Sequence, residues 1–239
     1  MYDHSFKLPD HKKEGDFFHI NQAIEKFSDL LIQLDEIEDL PDRYIRIKLL
    51  AEAFIISLNE LEQSVFSSKK YSEKIHKLYE EDMDSEELRH YYLHIYYYKN
   101  AFIRIFSILD KLGYFLNDLL ELNTEQVKPR FSYYTALRQM YSLKKHSSLQ
   151  KLLYNIKVDY KEPMKILKKR RNLEIHYINV EMLDDLVKTD DVSTEKVTIE
   201  NVKNNIYILQ QGYKMVCKSL LEVFKYSTFM MQKKMKTKR

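Results

Sequence analysis

The sequence predicts an all-α protein, a helical bundle, on three observations. Only three Gly and four Pro occur in 239 residues, which leaves little for hairpin turns or bulges. Apolar residues recur at intervals of three and four along most of the chain, the period of an amphipathic helix. The stretch Ile199, Val202, Ile206, Leu209, Tyr213, Val216, Leu220, Val223 keeps that alternation without a slip, a heptad stripe suited to a bundle core or to a dimer seam.

The elements follow in order. Ile20, Ala23, Ile24, Phe27, Leu30, Leu31 and Leu34 place a first helix ending near Leu40, where Pro41 breaks the pattern. Pro41-Asp42 starts a second, carried by Tyr44, Ile47, Ala51, Phe54, Ile55, Leu58, Leu61 and Val65. So short a connection makes the two an antiparallel hairpin. Between Ser67 and Asp84 the pattern weakens into charge, and a short helix with a surface loop is expected. A boundary falls there between an N-terminal hairpin with its charged connector, 1–84, and a main bundle, 85–239, unless the chain is one continuous domain.

Ser85 is the expected cap of a third helix, with Glu86 and Glu87 in its first turn. Tyr91, Tyr92, Ile95, Tyr98, Phe102, Ile105, Phe106, Leu109, Leu112, Phe115, Leu116 and Leu119 make it apolar on most sides, with Gly113 a point to bend. Asn100, Arg104 and Asp110 interrupt that run; they either face a site or pair at the stripe's edge. A loop over 123–130, helical fragments over 131–144 and 147–156, and a helix from near Pro163 come next. The acidic segment 181–197 reads as an extended loop or small excursion.

Charge and cysteine usage limit the function classes. Formal net charge is +3, so nucleic-acid affinity must come from local clusters. Two exist, Lys168 to Arg171 and the tail from Lys233 to Arg239, the latter expected to be frayed. One cysteine, Cys217, permits no intramolecular disulfide and points to a reducing compartment. Residues 1–15 are polar and charged, unlike a signal peptide. No apolar run approaches the roughly 18 residues that span a bilayer. A soluble cytoplasmic protein without membrane contact is expected.

The densest chemistry lies in Lys168-Lys169-Arg170-Arg171-Asn172-Leu173-Glu174-Ile175-His176-Tyr177. Four cations run into an Asn, and a side chain that titrates near neutral pH follows five residues after Arg171, which suits phosphate chemistry. The pattern Arg171-Asn172-x-x-x-His176 resembles the Arg-x4-His motif of HEPN domains, all-helical proteins many of which are metal-independent endoribonucleases. Phe106-Ser107-Ile108-Leu109-Asp110-Lys111 is similar to the second-helix region of some bacterial members. The resemblance covers roughly Ser85 to Tyr226.

On an ideal helix, residues five apart point about 140° away from each other, whereas residues four apart share a face. Asn172 and His176 therefore align and Arg171 does not. Either the helix ends between Arg171 and His176, or the site is composite and two copies of the motif meet across a dimer. The resemblance implies the second, because HEPN ribonucleases generally dimerise and pool these residues. It also implies the roles: proton transfer by His176, a bidentate phosphate clamp by Arg171, and orientation by Asn172. Lys168, Lys169, Arg170 and Tyr177 are the candidate RNA contacts. RNA, a homodimer partner and an antitoxin or defence-system protein are the implied partners, and no cofactor or metal is called for. The runner-up is a non-catalytic RNA- or protein-binding module of the same fold. In HEPN toxins paired with a nucleotidyltransferase antitoxin the motif continues as His-x-Tyr; here Ile178 holds that Tyr position, so control by modification of that tyrosine is not carried over.

Other constellations are weaker. Glu73-x-x-His76 and Glu87-x-x-His90 have the spacing of di-iron ligands, and His90 and His94 share a helix face as zinc ligands do. They lie too close in sequence, among too much charge, to project from two core helices. Three scattered glycines cannot form a phosphate-binding loop. Cys217 reads as a buried, inert thiol.

Overall fold

The computed structural model describes residues 15–38, 40–176 and 201–238. Seven α-helices account for most of them: α1 (Asp16–Glu38), α2 (Arg43–Ser72), α3 (Ser85–Leu120), α4 (Tyr133–Leu143), α5 (Ser147–Asp159), α6 (Lys161–His176) and α7 (Val202–Lys238). No strand occurs among the described residues. The all-α class is therefore observed. The segment expected to carry a short helix after Ser67 instead continues α2 to Ser72, followed by a single 3-10 turn at Glu80–Asp82. The tail expected to fray continues α7, with Met231 buried and the Lys234 ammonium 5.3 Å from the centre of the Tyr44 ring. The expected loop or excursion over 181–197 lies outside the described residues.

The chain divides into two compact units. One, the aromatic unit, takes Asp10–Glu60, Phe106–Asp159 and Lys214–Arg239. Its core follows directly from periodicity: Ile20, Ile24, Phe27, Leu31 and Leu34 recur every three or four residues on α1, and all are buried. At its centre Phe27, Phe54, Phe115 and Phe224, one from each of α1, α2, α3 and α7, pack with ring centroids 5.1 to 5.9 Å apart, four of the five contacts edge-to-face. Edge-to-face pairing sets a ring's positive rim against its neighbour's negative face, worth about 0.5–1.5 kcal/mol per pair beyond area burial.

Turns in this unit are made without glycine. Glu121, Asn123, Lys144 and His146 all adopt φ near +50°, a region that costs a side chain roughly 1–2 kcal/mol. Local bonds hold the first two: the Asn117 side chain accepts from the Thr124 N–H at 2.8 Å and donates to Glu125 at 3.0 Å. His146, in the α4–α5 reversal, is 2.8 Å from the Tyr226 hydroxyl. Gly113 serves a different purpose, since a Cβ there would lie 2.8 Å from the backbone nitrogen of Tyr133. The start of α4 packs directly on the α3 backbone.

The second unit, the motif unit, includes Leu61–Ile105 and Tyr160–Tyr213 so far as these are described. Its interior is more polar. His94 is fully buried, with Nδ1 2.9 Å from the Ser68 carbonyl and its ring stacked on Tyr98. Asn100 accepts from Arg104 Nε at 2.5 Å and from the Ser64 hydroxyl at 3.4 Å. Asn100 and Arg104, two of the three residues that interrupt the apolar run of α3, thus pair with one another. Asp84 rather than Ser85 caps α3, its Oδ1 accepting the N–H of Glu86 and Glu87 at 2.9 and 2.8 Å.

Candidate active site

The motif sits in the last two turns of α6. Glu162 lies in its first turn, and Pro163 is tolerated there because the N–H groups of a first turn have no intrahelical partner. Tyr160, Met164 and Leu167 are buried at spacings of four and three. Continuing that stripe, positions 170, 171 and 174 are Arg170, Arg171 and Glu174, so the inward face changes from apolar to ionic halfway along the helix. Arg170 donates to the Tyr98 hydroxyl and, at 2.7 Å, to Asn205 Oδ1, and its guanidinium lies 5.3 Å from the Tyr98 ring centre. Glu174 pairs with Lys99 at 3.1 Å, both side chains being 17% exposed. An ion pair so enclosed holds its geometry because loss of either member strands the other charge.

The remaining motif residues face outward to different degrees. Arg171 and Asn172 are half-buried, while Lys168, Lys169 and His176 are exposed. Lys165, Lys169, Asn172 and His176 follow spacings of four, three and four, and form one outward stripe. Helix α6 runs unbroken from Lys161 to His176, so it does not end between Arg171 and His176. These two side chains leave one helix about 140° apart. Tyr177 lies outside the described residues.

The rival metal spacings serve other ends. Glu87 accepts the backbone N–H of His76 and Lys77 at 2.5 and 2.7 Å, which holds its carboxyl below the usual range. His90 stacks on Tyr71, and burial with nearby Lys74 holds its imidazole below the ordinary value. Burial likewise lowers His94, against the hydrogen bond with the Ser68 carbonyl, which raises it. Among the described residues no cluster of three His, Cys, Asp or Glu is placed to hold a metal ion.

A family model for Cthe2314-like HEPN matches residues 51–228, from within α2 through the motif and into α7. The chain belongs to this HEPN family. No curated protein and no solved structure matches it significantly. HEPN membership carries, for the family as a whole, a nuclease or RNA-binding function, and HEPN domains commonly bind RNA and dimerise. No helix among the described residues is long and apolar enough to cross a membrane.

Sequence reasoning missed the residues that hold this HEPN motif in place. Tyr98 occupies an apolar stripe position and reads as core, and Asn205 is hidden beside the heptad residues Val202 and Ile206. A buried Asn one residue from such a stripe was the available signal, because it must find a hydrogen-bond partner.

Proposed function

We propose that this HEPN protein is a metal-independent endoribonuclease whose active site combines Arg171, Asn172 and His176 from two copies of the chain. The observation that carries the reading is the unbroken α6 bearing a HEPN motif: one helix aims Arg171 and His176 apart, and a second copy supplies the missing member. In the reaction the RNA 2′-OH attacks the adjacent phosphorus and the P–O5′ bond breaks, leaving a 2′,3′-cyclic phosphate and a 5′-OH. His176 moves a proton between the entering and leaving oxygens, Arg171 neutralises the crowded phosphorane, and Asn172 aligns His176. Exposed Lys168 and Lys169 supply the basic approach for RNA, with Tyr177 a further candidate contact, whereas the Arg170 guanidinium is taken up by Tyr98 and Asn205. Growth arrest or phage defence, under an antitoxin or defence partner, extends the same reading.

The test incubates the full chain with single-stranded and structured RNA in EDTA, beside Arg171→Ala and His176→Ala. Wild type is expected to cleave to cyclic-phosphate ends, and each variant to lose about 100-fold or more. Light scattering is expected to report a dimer. Equal RNA binding without cleavage by all three proteins would assign a non-catalytic module, and cleavage only on adding metal would overturn the mechanism.

A further inference from the structure

Helices α4 and α5 each carry one buried apolar stripe, Ala136, Leu137 and Met140 on the first and Leu149, Leu153 and Ile156 on the second. Each also carries another stripe that the core does not use. On α4 it is Tyr134, Arg138 and Tyr141, spaced four and three; on α5 it is Lys151, Tyr154 and Lys157, spaced three and three. These line one open groove of about 520 Å³, within the range of about 300–1,000 Å³ typical of small-ligand sites. Tyr141 is 71% exposed and Tyr154 50% exposed, a large aromatic area left in water.

The charge in the groove has one sign. Among the described residues lining it there are three cations and no carboxylate, with Gln150 and Asn155 as the amides. The Lys157 ammonium lies 5.8 Å from the Tyr134 ring centre and 5.5 Å from that of Tyr154, so a cation spans both rings. Flat rings flanked by cations suit a polyanion that itself presents flat faces. An acidic peptide would answer the charges and leave the rings without partners; a duplex would hide its bases from them.

We propose that the α4–α5 groove binds single-stranded nucleic acid, with bases stacked on Tyr141 and Tyr154 and phosphates held by Arg138, Lys151 and Lys157. Exposed Asn155 offers a donor and an acceptor to base edges. The site shares only its ligand class with the ribonuclease reading and stands if the motif is inert.

Fluorescence anisotropy of labelled twelve-nucleotide oligo(U), oligo(dT) and an RNA hairpin tests it, on the full chain carrying His176→Ala so that strands stay intact. Both single strands are expected to bind more tightly than the hairpin. Tyr141→Ala and Tyr154→Ala are each expected to weaken them about tenfold, with Tyr154→Phe retaining affinity and all melting temperatures unchanged. Lys151→Gln and Lys157→Gln are each expected to reduce the slope of log affinity against log salt by about 0.7. Binding unchanged in both tyrosine variants, preference for the hairpin, absence of binding, or equal displacement by polyglutamate would each overturn the groove. Failure of the ribonuclease reading looks different: no cleavage by wild type, yet tyrosine-dependent binding.

Discussion

The two units fill their interiors by different means. In the aromatic unit four phenylalanines meet edge to face and need no partner but one another. In the motif unit buried His94 and Asn205 and part-buried Asn100, Arg170 and Glu174 are each tied to named polar atoms. An apolar core stabilises with little directional demand, whereas a buried polar network is costly when incomplete and fixes geometry when satisfied. The polar interior, with its fixed geometry, lies beneath the helix that carries Arg171 and His176.

Phe115→Ala is expected to cost about 3–5 kcal/mol in denaturant unfolding, since it opens the ring cluster at a member that touches the other three. Gly113→Ala is expected to cost roughly 1–3 kcal/mol despite the better helix propensity of alanine, because the new methyl meets backbone that cannot yield. Gly212→Ala in the motif unit is the contrast: its methyl meets the tips of Leu167 and Ile105, which rotate aside, and a change within about 1 kcal/mol is expected. Equal losses at the two glycines would remove that distinction.

Tyr98→Phe is expected to cost about 1 kcal/mol, keeping the ring under Arg170 and removing only the hydroxyl that accepts from it. A loss as large as that of Phe115→Ala would mean that the polar interior carries stability as well as position. The smallest effect is with pH. Burial lowers the folded values of His90, His94 and His146 below 6.5, so the unfolded chain binds protons first. Stability is full above about 6.5 and declines as pH falls below it, levelling off beneath the depressed values. His94 contributes to this with its Nε2 buried and without a hydrogen-bond partner among the described residues. A melting-temperature series from pH 8 to 5 is expected to be flatter for His94→Gln.

The helical class and the apolar stripes were legible because burial on one face imposes a period that the sequence displays. Ile20 through Leu34 on α1, and Ile206, Leu209, Val216, Leu220 and Val223 on α7, are buried as that period requires. The end of α2 was not legible. Ser67 and Ser68 are buried there, and Ser68 packs on His94 through a hydrogen bond, so no apolar repeat marks the turn. The α3 cap was displaced by one residue because Asp84 and Ser85 are both good caps and only geometry chooses between them. Within the candidate site the Arg-Asn-x-x-x-His pattern was readable; its support by Tyr98 and Asn205 was not, since contacts 72 and 35 residues distant from Arg170 leave no local trace.

The unit boundaries have a consequence for how the molecule comes apart. They fall after Glu60, Ile105, Asp159 and Tyr213, three of them inside α2, α3 and α7. Each unit is thus stitched from separate stretches of chain, and no single cut yields either one as a contiguous fragment. Melting one unit would also unravel turns continuous with helices of the other, against helical cooperativity. A single unfolding transition is built into the connectivity, so a lesion in the phenylalanine cluster is felt at the motif through the population of folded chains.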